Sequence, residues 1–363
     1  MSGLAGDLLY VVGVAGMFLI LIAPHEAGHF VVAKLFKVRI LEFSIGAGTR
    51  LWSVTRNGTL YAIRLLPILG YVRMGGMEAG DFEEPNGFHS KPPLQRIAIL
   101  AAGPIANFIV AMILITGFSL TQLNSVPGLV IQVFPTWKVN GQTMATPAAQ
   151  AGLTAGDRIL FINGASVTAP DTIAQQELAS RGQPVVVSGV HANGQGFTSV
   201  VTPVCSDGTC QMGVGIARIT TAYTAVQEGV SFPFQAMQVI FGGLGSLVSG
   251  QVKGGLLGPD GLTGPIGIAA ITIDSVNQGP PTYIWLVALL SVALGVTNLL
   301  PLLALDGGRI VVVVVEWLRR RPFDRNSELN FQRWGLVALL GLAAIISFLD
   351  VQRLITGSFP GVH

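Results

Sequence analysis

The residues best placed to do chemistry are His25–Glu26–Ala27–Gly28–His29. On a helix, side chains at i and i+4 leave from nearly the same face, about 40° apart, so one turn aims both imidazoles at a single point. That spacing suits two nitrogens of one tetrahedral zinc, and Glu26 is placed to take a proton from water that the metal activates. The motif lies in an apolar run, where two histidines and a glutamate are costly unless something coordinates or pairs them. The plainer alternative is a set of polar residues at the membrane–water end of a helix, where such side chains are cheap. Catalytic zinc takes three protein ligands and keeps one position open. His89, His191, His363 and the scattered carboxylates are the candidates for the third. Asp306 stands apart from them, because it closes an apolar run in Asn298-x-x-Pro301-x-x-x-x-Asp306–Gly307–Gly308, where Pro301 removes one backbone hydrogen bond. At 1.5 Å per residue, His25 lies roughly 26 Å past Leu8 and Asp306 roughly 31 Å past Trp285, a similar depth if both runs enter from one face. The competing reading of Asp306 is an ordinary N-cap for a helix from Arg309.

What must hold these residues is a membrane bundle. Of the 363 residues 11% are charged and 50% are apolar, against roughly 25% charged in an ordinary globular protein, so a soluble surface is out of reach. Four apolar runs, 8–36, 97–120, 285–305 and 334–354, approach the ~20 residues that cross a bilayer. No Lys or Arg precedes the first run and it continues past any cleavage site, so it is expected to be a retained span. Basic residues set the orientation. They crowd between the first two runs, from Lys37 to Arg96, and between the last two, from Arg309 to Arg333, and are sparse across 121–284. Both dense blocks are expected on the cytoplasmic side, with the long middle segment and both termini outside. A net charge of +2, split between two blocks, excludes an electrostatic nucleic-acid binder. Two cysteines are too few for a disulfide framework or a cysteine-based zinc ribbon.

The long middle segment has its own pattern. Short β-rich runs at 130–133, 158–162, 184–190 and 197–201 are punctuated by Gly, Pro and Asn. The passage 147–164 resembles the signature of bacterial PDZ domains, with Leu153 packing below a turn that Gly156 permits and 158–162 forming the next strand. The expected order is a membrane core at 1–120, a single extracytoplasmic PDZ (α+β) domain at 121–216, a connector at 217–284, and a second membrane core at 285–363. Within the connector, 232–248 reads as an interfacial amphipathic helix and the Gly/Pro-rich 250–281 as an irregular re-entry. Cys205 and Cys210 could close a small disulfide loop on the outer side, a position that argues against a catalytic thiol. The segment 60–66 followed by 70–74 alternates well enough for a hairpin on the side of the candidate zinc.

Taken together, the motif in the first run and Asn298-x-x-Pro301-x-x-x-x-Asp306–Gly307 in the third resemble the site-2 protease family of intramembrane zinc metalloproteases. Three further segments match the family: Phe43–Ser–Ile–Gly–Ala–Gly48, Gly70–Tyr71–Val72–Arg73–Met–Gly–Gly76 and Gly103–Pro–Ile–Ala–Asn107. So does Gly264–Pro–Ile–Gly267, on the approach to the third run. The single PDZ is similar to the bacterial branch that cleaves anti-sigma factors, some members of which carry two. The resemblance implies an α-helical polytopic protein with four transmembrane helices and a membrane-associated β-hairpin on the cytoplasmic side. It implies His25, His29 and Asp306 as ligands of one Zn2+ per chain and Glu26 as general base. It also implies substrate-binding or supporting roles for Asn298, Asn107 and the edge formed by Gly70, Tyr71, Val72 and Arg73. An amide such as Asn298 inside a span needs a polar partner and could hold an unwound substrate strand, although interhelical hydrogen bonding is an equally physical use.

The expected function is zinc-dependent hydrolysis of peptide bonds within or beside the membrane. The substrates expected are single-pass proteins already trimmed outside, anti-sigma factors or signal-peptide remnants among them, in a bacterial inner membrane. A PDZ-bearing scaffold or receptor with a structural metal site is the alternative, and it would tolerate loss of Glu26. A cation transporter would show inverted repeats, and the two halves carry none.

Overall fold

In the computed structural model of the chain, the residues described are 4–77, 81–123, 126–139, 142–169, 171–206, 209–217, 221–250, 258, 261–302 and 304–356. The described residues fold as two compact units, one within 1–113, 231–273 and 286–360, the other within 114–230 and 274–285.

The chain opens with helix α1, Leu4–Leu35, followed by strands β1, Ile40–Arg56, and β2, Thr59–Met74. Asn57 and Gly58, at φ +50° and +76°, turn β1 into β2, a backbone that suits the twist of a two-residue hairpin. The sheet is therefore a hairpin, but its arms are not the two runs suggested by alternation. Residues 60–63 and 70–73 do not pair with each other, because Glu42–Ile45 of β1 lies between them and bonds to both. Long strands bent at Gly46 and Gly48, where the ladder register breaks, make this possible.

Helix α2, Pro93–Leu120, follows a short turn at Phe88–Ser90. The second unit then contributes β3 (Val130–Val133), β4 (Thr136–Val139), β5 (Gln142–Ala145), α3 (Pro147–Gln150), β6 (Arg158–Ile162) and β7 (Ala165–Ser166). It continues with α4 (Asp171–Ser180), β8 (Val185–Val190), β9 (Gly196–Val201), β10 (Val204–Ser206), β11 (Thr209–Gln211) and β12 (Val214–Ile216). A sheet in the order β7-β6-β8-β9 and the pairs β12-β3, β10-β11 and β4-β5 enclose a core of Val130, Leu153, Ile159, Ile162, Val185 and Val187. Leu153 is buried beside a turn in which Gly156 adopts φ +95°.

The last helices are α5 (Ala222–Val248), α6 (Pro265–Gln278), α7 (Pro280–Leu299), α8 (Asp306–Arg319) and α9 (Arg325–Ile355). Among the described residues, four helices are long and apolar enough to cross a membrane: Gly6–Leu35, Pro93–Leu120, Pro280–Leu299 and Arg325–Ile355. They expose large apolar side chains such as Val11, Ile113, Leu340 and Phe348, as lipid-facing helices do.

Two expectations need correction. The third apolar run is not one helix to Leu305. It stops at Leu299, and Asp306 begins a new helix. Pro301 cannot donate the next helical hydrogen bond and pushes the residue before it out of helical geometry. The expected irregular re-entry at 250–281 contains the regular helix α6, while 251–257 and 259–260 lie outside the described residues. Its start is held by a distant carboxylate, since Gly264 and Gly267 both donate backbone N–H groups to buried Asp350 Oδ2 on α9, at 2.9 Å each. A negative charge at a helix N-terminus satisfies free N–H groups and the helix dipole together.

Candidate metal centre

Pro24 sits inside α1 just before the motif, and the helix continues through it, so His25 and His29 keep their one-turn spacing. Their Nε2 atoms are 3.2 Å apart, and each is 3.3 Å from Asp306 Oδ2. His29 Nδ1 donates to the carbonyl of Ile99 at 2.8 Å, which leaves Nε2 as the lone-pair atom. Three acceptor atoms turned toward one another repel unless a cation shares them. Asp306 Oδ2 is buried without a hydrogen-bond partner, as is His25 Nδ1. A tetrahedral zinc about 2.0–2.1 Å from its donors sets those donors about 3.3–3.4 Å apart, the edge of this triangle. Two imidazoles and one carboxylate of this geometry fit zinc with one position left over. The three are the group of metal-ligand type found among the described residues.

Close backbone approach makes the triangle possible. A Cβ on Gly103 of α2 would lie 2.3 Å from His29 Nε2, and one on Gly28 would lie 2.3 Å from the carbonyl oxygen of Ala102. A Cβ on Gly307 would lie 2.3 Å from the Leu299 and Leu300 carbonyl oxygens. Gly28 and Gly307 are thus contacts between neighbouring backbones. The buried ion pairs of Glu316 on α8 with Arg96 on α2, at 2.8 Å, and with Arg325 on α9, at 2.7 Å, brace the helix that carries Asp306.

The Glu26 carboxylate lies beside the triangle, and both Glu26 and Val72 of β2 line the same cavity. Gly70, on the same edge, packs so tightly that a Cβ would come within 2.9 Å of Glu26 Cγ and of Ile22 Cγ2. A cavity of ≈ 730 Å3 is walled by the metal triad, Glu26, Asn298 and the Gly70–Val72 edge. Tyr71 reaches this cavity with its hydroxyl accepting from Arg64 at 2.8 Å, and Arg64 also donates to Glu42 Oε1 at 2.8 Å. Burial raises the pKa of Glu42, but its hydrogen bonds with Tyr71 and Arg64 outweigh this and hold it below the usual range.

Among the other expected residues, Asn298 lines the cavity and donates Nδ2 to its own helix at Leu294 O, 3.0 Å away. Asn107 does not line it. Its side chain is fully buried between helices with both amide atoms unpaired, and its backbone carbonyl accepts from Ser291 Oγ. The Arg73 side chain is exposed and is not part of the cavity wall. His89 does not line the cavity and is stacked edge-on against Phe82 and Phe88. Burial, then the guanidinium groups of Arg325 and Arg96, push its pKa down to about 3, so it is a neutral imidazole. His191 pairs with Asp157 in the second unit, and His363 lies outside the described residues. Cys205 and Cys210 face each other on β10 and β11 and are joined in a disulfide. The Ile99 carbonyl, Gly103, Arg64 and Glu42 carry no sequence signal of their own. Only Gly103 falls in a segment that the family resemblance had marked.

A polytopic chain with a carboxylate beside three convergent donors has the parts of a membrane peptidase. The profile of Peptidase family M50 matches residues 13–342. A provisionally named zinc metalloprotease of Clostridium perfringens is 29% identical over 94% of this chain and 98% of its own length. Another from Fusobacterium nucleatum is 30% identical over 92% of this chain and 96% of its own length. Zinc metalloprotease RasP of Bacillus licheniformis is 29% identical over 91% and 96%. The chain belongs to peptidase family M50, the site-2 proteases, as the motif resemblance implied, and is an integral membrane protein.

Proposed function

We propose that the chain is an intramembrane zinc endopeptidase that cuts single-pass membrane proteins in or near their transmembrane segment. His25, His29 and Asp306 hold the metal and Glu26 is the general base. The observation that carries this is the equilateral set of three lone-pair donors, buried in an apolar helix bundle with a carboxylate alongside. Bound zinc would supply Lewis acidity, polarising the scissile carbonyl and making water a better nucleophile near neutral pH. Glu26 takes the proton of the attacking water and passes it to the leaving nitrogen. The Gly70–Val72 edge offers an extended substrate a strand to pair with, which exposes peptide carbonyls that an intact helix hides. Asn298 supports such a strand from the opposite wall, and Tyr71, held by Arg64, shapes the entrance. Asn107 and Arg73, on this reading, support the site without lining the cavity.

The second unit is read as a single PDZ domain at 121–216 that binds or screens the trimmed substrate, and 217–284 as its return path into the bundle. Anti-sigma factors and signal-peptide remnants are the substrate types that fit, in a bacterial inner membrane, with the PDZ and both termini outside and the metal toward the cytoplasm.

The decisive experiment keeps the metal and removes the base. Glu26→Gln, reconstituted in liposomes with a model single-pass substrate lacking its outer domain, should retain zinc while cleavage falls ~10²–10⁴-fold. Near-normal cleavage that a chelator abolishes would sink the assignment. For sidedness, single cysteines near Arg56 and Arg320, in a chain without Cys205 and Cys210, should resist an impermeant thiol reagent in intact cells, while one near Gly194 reacts. Labelling at all three would break the four-span arrangement.

A further inference from the structure

The second unit contains a groove of ≈ 770 Å3 that the proteolytic chemistry does not use. One wall is a single face of α4, formed by Asp171, Ala174, Glu177 and Leu178, whose spacing of three and four residues puts them in line. β12 also lines the groove, contributing Val214 and Ile216. β12 pairs with β3, and no other strand pairs with it among the described residues, so one edge is open to an incoming strand. The lining is about equally polar and apolar, and its charges have one sign. Asp171 and Glu177 are acidic, and no Lys, Arg or His lines the groove among the described residues.

Glu177 makes the groove unusual. It is 7% exposed, and Glu177 Oε1 accepts the backbone N–H of Met212, next to Gly213 and Val214 of the lining. A backbone N–H that could receive the carboxylate of a peptide terminus is thus already occupied by a carboxylate of the protein. A free C-terminus entering here would meet two acidic side chains and no counter-charge. Burial pushes the Glu177 carboxyl up to about 7, as expected of a buried acid without a cationic partner. Trp137 Nε1, on another part of the wall, is buried with no acceptor, which a peptide carbonyl would supply.

We propose that this groove binds an extended internal segment of the substrate, paired to the open edge of β12, with a Lys or Arg side chain seated between Asp171 and Glu177. The occupant is a basic stretch whose chain continues past both ends of the groove, not a newly cut carboxyl terminus. The proposal rests on the reading of the second unit as the substrate-handling module and specifies what that module recognises.

The test is a binding measurement on the full-length chain in non-ionic detergent, which does not depend on cleavage. Three labelled peptides of one apolar extended sequence are compared by fluorescence anisotropy. The first is capped at both ends with a central Lys, the second is identical with Gln for Lys, and the third carries Gln and a free C-terminal carboxylate. The capped Lys peptide should bind at least 10-fold tighter than either of the others. Asp171→Asn, at an exposed position, and Glu177→Gln, which keeps an oxygen acceptor for Met212, should each weaken that peptide about 5–10-fold and leave the Gln peptide unchanged, the size of a charge-assisted contact. Tightest binding by the free carboxylate, equal binding of the Lys and Gln peptides, or no binding of any of them overturns the proposal. If Glu26→Gln also left cleavage intact, the catalytic reading would fall while this result stood, so the two failures are distinguishable.

Discussion

The two units bury ionisable groups in different ways. In the bundle, His25, His29 and Asp306 sit within 3.3 Å of one another, lone pairs inward. In the second unit Glu177 is just as buried, but its recorded partner is one backbone N–H. The first arrangement is mutual, since each donor is costly without the cation that the other two help to hold. The second is solitary, and burial is eased by holding a proton. A closed set of this kind should respond to substitution nearly all-or-none, and a lone carboxylate in a groove should respond by degrees.

The sharpest way to break the comparison is to open the triangle. His25→Ala, His29→Ala or Asp306→Ala removes one of three protein donors, and each purified variant should hold only a small fraction of the zinc of the parent. Full occupancy in Asp306→Ala would mean that the third donor is elsewhere. Glycine contacts give a graded series below that. Gly103→Ala places a methyl 2.3 Å from His29 Nε2, so metal content and thermal stability should both fall, by ~1–3 kcal/mol in the latter if the overpacking relaxes as in other cores. Gly70→Ala meets flexible side-chain atoms of Glu26 and Ile22 at 2.9 Å. Zinc should stay while cleavage drops about 10-fold, because a small displacement of a base costs rate and not metal affinity. Equal loss of metal in both variants would show that the edge at Gly70 supports the donors and not the base.

The smallest effect belongs to Glu177. Its folded pKa of about 7 lies above the ordinary 4.5. The folded state therefore binds the proton more tightly than the unfolded state does. The stabilisation is fully present below about pH 4.5 and is lost as pH rises through about 7. Hydrogen exchange of the strands around Met212, corrected for intrinsic rate, should show more protection at pH 5 than at pH 8, and Glu177→Gln should flatten the difference. A flat profile in the parent would show that Glu177 is ionised throughout.

Much of this molecule was legible from its residues. The i, i+4 histidines and their glutamate need only helical geometry, and the four apolar spans need only length and the near absence of charge. The strands at 130–133 and 158–162 match the observed elements because turn-rich punctuation and β-branched content are local properties. The sheet beside the site was harder. Alternation marks a strand but does not say which strand it pairs with, and here Glu42–Ile45 intervenes between the two runs that alternation had joined.

The sequence by itself determined that the chain crosses a membrane, that two histidines and a glutamate share one helix turn, and that Asp306 follows a helix-breaking proline. Each of these follows from periodicity, composition or the geometry of a single residue type. Tertiary structure alone decided that Asp306 Oδ2 meets both Nε2 atoms, that Gly103 lets α2 come close enough for Ile99 to orient His29, and that Gly70 packs against Glu26. It also decided that Asp350 would start α6 and that Glu177 would occupy an N–H in an acidic groove. These are contacts between residues far apart in the chain, set by how closely backbones can pack and by where a buried polar group finds its partner, and no local pattern carries that information.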